Sequence, residues 1–208
     1  MIVASINQPA FGDNIWLDFS KQNDYQTAEK KDDLFLIKNS QNKLIGINLL
    51  NWSSRLGINK THGFIPINLE QISKISQKIP EYQDVLNYEL TNPYFTVAKI
   101  KSINPHPRLS RLKIIEIDIG QKDLVSLVSG SINLKLNLHT VYARPGAILP
   151  NGKKILKSKI GGVKSPGTLC NRTDLNLNSP EIKGAIEITD SSVNPGTDFA
   201  KIAKINYK

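Results

Sequence analysis

Phe95-Thr96-Val97-Ala98-Lys99-Ile100-Lys101, directly after Thr91-Asn92-Pro93, is the stretch on which the fold turns. An asparagine before proline disfavours helix, so the chain changes character at this point. The residues that follow fit a β-strand, which puts Lys99 and Lys101 on one face. Asn104-Pro105-His106-Pro107 reads as a rigid loop. Further strand-like runs come at Leu112–Ile119, Leu124–Val128 and Thr140–Ala143, and Gly146, Pro150-Asn151-Gly152, Gly161-Gly162 and Pro166-Gly167 punctuate the rest. Several short strands broken by Gly/Pro turns within about 110 residues predict a small barrel or sandwich.

Upstream of Pro93 the pattern is mixed. Ile15, Leu17 and Phe19 alternate with polar or amphipathic neighbours, as in a half-buried strand. Leu34-Phe35-Leu36-Ile37 and Leu44-Ile45-Gly46-Ile47 predict two more strands, joined by the turn-forming Asn39-Ser40-Gln41-Asn42. Leu69, Ile72, Ile75 and Ile79 then fall at helical spacing, with Asn68 as N-cap and Gln71 at the reciprocal position. Pro80 should end or redirect that helix. Tyr82, Val85, Leu86 and Leu90 suggest a second short one. The expectation is an α+β chain: residues 1–92 a small α+β domain, residues 93–208 a β-rich one.

Charge divides at the same place. Residues 1–93 carry nine Lys/Arg against ten Asp/Glu, whereas residues 94–208 carry eighteen against eight. The whole positive excess therefore lies in the second half, which points to a polyanionic partner. From Arg144 to Arg172 run seven basic residues, Arg144, Lys153, Lys154, Lys157, Lys159, Lys164 and Arg172, with no acidic one among them. The stretch is also glycine-rich, so backbone N–H groups can approach phosphates closely. In a strand, Lys157 and Lys159 would share a face.

Catalytic signatures are missing. His62, His106 and His139 lie far apart in sequence, and no His/Cys pair has zinc-ligand spacing. Gly152-Lys153-Lys154 lacks the frame of a phosphate-binding loop, and Ser165-Pro166-Gly167 lacks the glycine that a nucleophile elbow needs. Glu116 and Asp118 share one face of a strand and read as surface charges. Cys170 reads as a buried structural thiol. The expectation is a binding protein and not an enzyme, without metal or cofactor. A lone cysteine, the lack of a long apolar run and a non-basic start predict a cytoplasmic chain without signal peptide or membrane span.

One ordered set of motifs is more specific. It comprises Phe95–Ile100, His106-Pro107, Leu112-Lys113-Ile114, Gly146-Ala147-Ile148-Leu149-Pro150-Asn151-Gly152, and Gly162-Val163-Lys164-Ser165-Pro166-Gly167-Thr168-Leu169-Cys170. This order resembles the tRNA-binding domain of bacterial phenylalanyl-tRNA synthetase β subunits, which is related to methionyl-tRNA synthetase appendages, EMAP II-type cytokines and CsaA chaperones. Gly12-Asp13-Asn14-Ile15-Trp16-Leu17 and Gly46–Ser54 are similar to the first domain of the YtpR family. The resemblance implies an OB-fold barrel for residues 93–208 and tRNA as partner. An aminoacyl-tRNA synthetase is a further partner it admits, and it leaves homodimerisation open. A chaperone-like peptide-binding module and a trans-acting synthetase subunit are the alternative functions.

Departures from the pattern fall in the loops. His106-Pro107-Arg108-Leu109-Ser110-Arg111-Leu112 replaces the usual His-Pro-Asn-Ala-Asp-Lys-Leu, but Arg108 and Arg111 keep the loop charged. Ser129-Gly130-Ser131-Ile132-Asn133 replaces Cys-Gly-Ala-Pro-Asn and retains the amide. Ser165 and Gly167 match a segment implicated in RNA contact among related proteins, with Thr168 in place of methionine. The expected RNA-contacting set is Lys99, Lys101, Arg108, Arg111, Lys113, Asn133, Arg144, Lys153, Lys154, Lys157, Lys159, Lys164, Ser165 and Arg172. His106 reads as a loop-packing residue that satisfies backbone groups. Asn133 either caps a turn or reads a base. Tyr94, Phe95 and Tyr142 are candidates for base stacking or for the core.

Overall fold

The computed structural model of the chain describes residues 2–24, 26–177 and 184–203. They form two compact units, one ending at Pro93 and one starting at Tyr94.

The first unit is a six-stranded antiparallel sheet. Its strands are β1 (Ile2–Asn7), β2 (Asn14–Asp18), β3 (Gln26–Lys31), β4 (Leu34–Asn39), β5 (Leu44–Leu50) and β6 (His62–Ile67), in the order β3-β4-β5-β2-β1-β6. The short helices α1 (Gln8–Phe11) and α2 (Ser53–Leu56) lie in its connections. Helices α3 (Leu69–Ser76) and α4 (Gln83–Thr91) follow, separated by a 3₁₀ turn at Pro80–Tyr82. Ile15 and Leu17 of β2, and Phe19 just beyond it, are buried, and they pack with Ile2, Ala4 and Ile6 of β1 and with Ile72 and Ile75 of α3. A fully buried Ile or Leu contributes about 1.5–3 kcal/mol, so this one cluster accounts for the sheet-on-helix arrangement.

α3 begins as its sequence predicts. The Asn68 side chain accepts from the Gln71 N–H at 2.9 Å, and the Gln71 side chain accepts from the Asn68 N–H at 3.0 Å. Strands β1, β3 and β6 carry no clear strand signature in the sequence. β1 is buried at four of its first five positions, so it shows little alternation. β3 is an edge strand with mostly exposed polar side chains. β6 contains Pro66, which an edge strand tolerates because its missing N–H faces no partner.

The second unit is a five-stranded sheet that curls into a nearly closed barrel of OB type. Its strands are β7 (Phe95–Pro105), β8 (Lys113–Asp118), β9 (Val125–Ser129), β10 (His139–Ala143) and β13 (Thr168–Leu169), in the order β13-β10-β7-β8-β9. A separate hairpin, β11 (Lys157–Ile160) with β12 (Val163–Pro166), returns to β9. β7 is longer than the sequence suggests and runs through Asn104-Pro105. Its first half pairs with β10 and its second half with β8. A register shift between Ile100 and Ser102 separates the two halves. Such a bulge bends and twists a strand, which lets one strand serve both sides of a barrel. Ala98, Ile100, Ile115, Ile117, Leu127, Leu138, Tyr142 and Leu169 fill the interior. The last short helix, α5 (Phe199–Ile202), is capped by the Asp198 carboxylate, which accepts from the Ala200 N–H at 3.0 Å. The Val97 N–H donates to the Thr197 carbonyl at 2.9 Å, which ties this segment to β7.

Candidate nucleic-acid interface

The β11–β12 hairpin turns the basic stretch into a surface. Its register pairs Lys157 with Pro166, Ser158 with Ser165, Lys159 with Lys164 and Ile160 with Val163. Directly opposed residues share a face, so Lys157, Lys159 and Lys164 project together while Ser158, Ser165, Ile160 and Val163 take the other side. All three lysines are exposed, and among the described residues none of them forms an ion pair. Like charges placed directly across a ladder destabilise it. Lys159 opposite Lys164 is therefore a local cost that a bound anion would remove.

The inner side of the hairpin is structural. Ser165, expected as an RNA contact, is 1% exposed. Its hydroxyl accepts from the buried Val128 N–H at 3.1 Å and so joins β12 to β9, where a backbone rung would otherwise stand. The Ser158 hydroxyl donates to the Ser165 carbonyl at 3.1 Å. Beyond the hairpin, Gly167 adopts φ +101, and a Cβ there would come within 2.5 Å of the Ala143 carbonyl oxygen and of the Tyr142 ring. The Tyr142 hydroxyl donates to the Pro166 carbonyl.

The 106–112 loop lies against the hairpin turn. His106 is buried, and its Nδ1 accepts from the N–H groups of Arg108 and Leu109, both at 3.1 Å. Its Nε2 meets the Ile160 carbonyl at 3.0 Å. His106 thus packs inside the loop and satisfies its backbone groups. Arg108, Arg111 and Lys113 are exposed around this loop and the start of β8, and the Arg108 guanidinium reaches the hairpin turn at Gly162.

Other expected contacts are placed differently. Lys99 is half-buried and paired in register with Asp118. Lys101 sits at the bulge with its ammonium 3.7 Å from the same carboxylate. Glu116 lies nearby on β8, where it accepts from the Ser102 hydroxyl. The field of this face is therefore partly cancelled. Asn133 turns inward to the chain itself: its side-chain oxygen accepts from the Ala185 N–H at 2.8 Å, and its amide donates to the Ala185 carbonyl at 2.9 Å and to Glu187 at 3.1 Å. These contacts are neither a local turn cap nor a base contact: they tie the Asn133 loop to a backbone segment 52 residues further on. Arg172 is exposed beside this tie, in a shallow cleft with Gly184–Glu187. The Arg144 guanidinium stacks over Tyr94 at 4.4 Å. Lys153 is exposed in the 149–153 turn and Lys154 is half-buried beside it.

Tyr94, Phe95 and Tyr142 are all buried and belong to the interior, so none offers a stacking platform. Burial pushes the pKa of the Tyr142 phenol well above its ordinary range. Cys170 is buried too; desolvation first, and then the Asp174 carboxylate, push its thiol pKa far up. Its environment is that of an inert structural thiol.

An OB-type barrel that presents an unneutralised basic hairpin beside a basic loop defines the class: a barrel module built to receive an anionic chain. Residues 95–198 match the family model described as "Putative tRNA binding domain", and the chain belongs to that family. The "Uncharacterized protein MG449 homolog" of Mycoplasma pneumoniae is 32% identical over 180 residues, which cover 84% of this chain and 74% of the relative. The phenylalanine–tRNA ligase β subunit of Bordetella parapertussis is 38% identical over 119 residues, 56% of this chain and 14% of the subunit. That of Staphylococcus epidermidis is 27% identical over 149 residues, 67% of this chain and 19% of the subunit. The chain thus spans less than a fifth of the length of these ligase subunits. No helix among the described residues is long and apolar enough to cross a membrane.

Proposed function

We propose that the chain binds tRNA through residues 93–208 and catalyses no reaction, with residues 1–92 as an accessory module. The observation that carries this reading is the outer face of the β11–β12 hairpin. Lys157, Lys159 and Lys164 point the same way there, two of them directly opposed, with no carboxylate in the surrounding stretch. Arg108, Arg111 and Lys113 extend the face along the neighbouring loop, and Arg144, Lys153, Lys154 and Arg172 contribute to the wider field. Lys99 and Lys101 take a lesser part because Asp118 stands opposite the first and 3.7 Å from the ammonium of the second. Ser165 and Asn133 act as struts that hold the barrel around this face. The family membership supports tRNA as the polyanion. With the barrel's aromatics buried, recognition rests on phosphate position and RNA shape rather than base stacking. The cytoplasm is the compartment in which such a chain meets its ligand.

Each lysine that neutralises a phosphate releases condensed counterions, so log K falls linearly with log salt. Changing Lys157, Lys159 and Lys164 together to alanine should flatten that slope by about 2 to 3 units, at roughly 0.7 to 0.9 per contact. The control variant, with Lys30, Lys31 and Lys74 changed to alanine, should keep the parental slope. Filter binding with unfractionated tRNA across a salt series checks both. A parental slope in the hairpin variant would overturn the assignment of this face.

A further inference from the structure

Arg108 and the lysine rung belong to segments about fifty residues apart, yet one side chain fixes them to each other. Nδ1 of His106 receives two backbone N–H donors, from Arg108 and Leu109. It is therefore an acceptor, and the imidazole proton resides on Nε2, which donates to the Ile160 carbonyl at 3.0 Å. One neutral ring thus shapes the loop that carries Arg108 and ties that loop to the hairpin turn.

The turn is cut to receive the ring. Gly161 adopts φ +55, and a Cβ there would lie 2.5 Å from the His106 Cε1 and 2.9 Å from the Leu109 Cδ1. The next residue, Gly162, meets Arg108: a Cβ on it would sit 3.6 Å from the guanidinium Nη1. The guanidinium therefore lies over the hairpin turn. One rung further along stands Lys159 opposite Lys164. Arg108 thus stands at the hairpin turn that leads into this rung, and His106, 5% exposed, is the buried link between the two segments.

We infer that His106 is a positioning residue for RNA phosphate: its imidazole clamps the Arg108 loop to the β11–β12 turn, so that Arg108 and the Lys159–Lys164 rung act as one anion-binding set. The inference rests on the function proposed above for the hairpin. His106 itself touches no ligand.

The test separates the two halves of the clamp in the full chain. In His106→Asn the short side chain still accepts from the N–H groups two and three residues on, as in an Asx turn. It falls short of the Ile160 carbonyl. The salt slope for tRNA binding should then flatten by about 0.7 to 0.9, the value of one lost contact. Arg108→Ala should flatten it by the same amount, and the combined variant should be no flatter than either single one. Gly161→Ala attacks the clamp from the hairpin side and should reproduce the same change, which covers a His106 variant that folds poorly. A parental slope in folded His106→Asn and Gly161→Ala, with a flattened slope in Arg108→Ala, would overturn the clamp while leaving the hairpin reading intact. A parental slope in the triple lysine variant would overturn both.

Discussion

The two units treat their cations in opposite ways. In the first, five of nine basic side chains are matched: Lys21 with Glu89, Lys31 with Glu81, Lys38 with Glu29, Arg55 with Asp33 and Lys74 with Glu70. In the second, the described ion pairs are Lys101 with Asp118 and Lys135 with Glu187, both away from the hairpin. Apart from Lys21–Glu89, whose carboxylate is buried, each pair has an exposed partner. Exposed ion pairs are worth little individually, so the matching in the first unit is not mainly a source of stability. Its effect is to leave little net field. The second unit keeps its field by leaving the hairpin unmatched and accepts a repulsive rung to do so. The halves differ both in basic content, nine Lys/Arg against eighteen, and in where the carboxylates stand relative to them.

The broadest way to break this comparison is to divide the chain between Pro93 and Tyr94. Each piece retains its own apolar cluster. The piece from Tyr94 onward should hold nearly all the tRNA affinity, and the piece up to Pro93 should fall to the nonspecific level, with a Kd weaker by roughly 10³-fold or more. Gel shifts with both pieces decide it, and affinity residing in the first piece would show that paired cations are no guide to the binding half.

A second substitution tests whether Ser165 belongs to the interface or to the frame. Ser165→Ala leaves the buried Val128 N–H without an acceptor, which should cost about 1–3 kcal/mol of stability in denaturant unfolding. The salt slope of tRNA binding should stay parental in the folded fraction. A flattened slope with unchanged stability would return Ser165 to the contact set.

The finest test sets stability against binding at one rung. Lys159→Glu places an acidic side chain opposite Lys164 and replaces repulsion by attraction. The hairpin should gain about 0.2–1 kcal/mol, visible as a small rise in Tm, while tRNA affinity falls. A rise in both would mean that the rung is not retained for an anion.

Much of the frame was legible from residue patterns. The alternation of Ile15, Leu17 and Phe19 and the Asn68–Gln71 cap are local signals, and each turned up as read. β3 was illegible because an edge strand with a polar, exposed sequence carries no alternation. For the site, the parity of Lys157 and Lys159 was readable because it depends only on a two-residue period. The inward turn of Ser165 was not, because it depends on the hairpin register and on β9, 37 residues earlier. Nor was the approach of His106 to Ile160, which spans 54 residues. Polar residues beside a basic stretch look alike in sequence whether they meet a ligand or hold the barrel that presents it.

The two ends of the first unit's sheet have a consequence for how the protein behaves when concentrated. A sheet with open edges invites another copy to add a strand, the usual start of ordered aggregation. One edge here, β3, presents Glu29, Lys30 and Lys31 with no apolar side chain larger than that of Ala28. The other, β6, carries Pro66, which lacks the N–H that an incoming strand would need. Neither edge is a good template for strand addition, so a six-stranded sheet can be left open at both ends without becoming a seed for fibres.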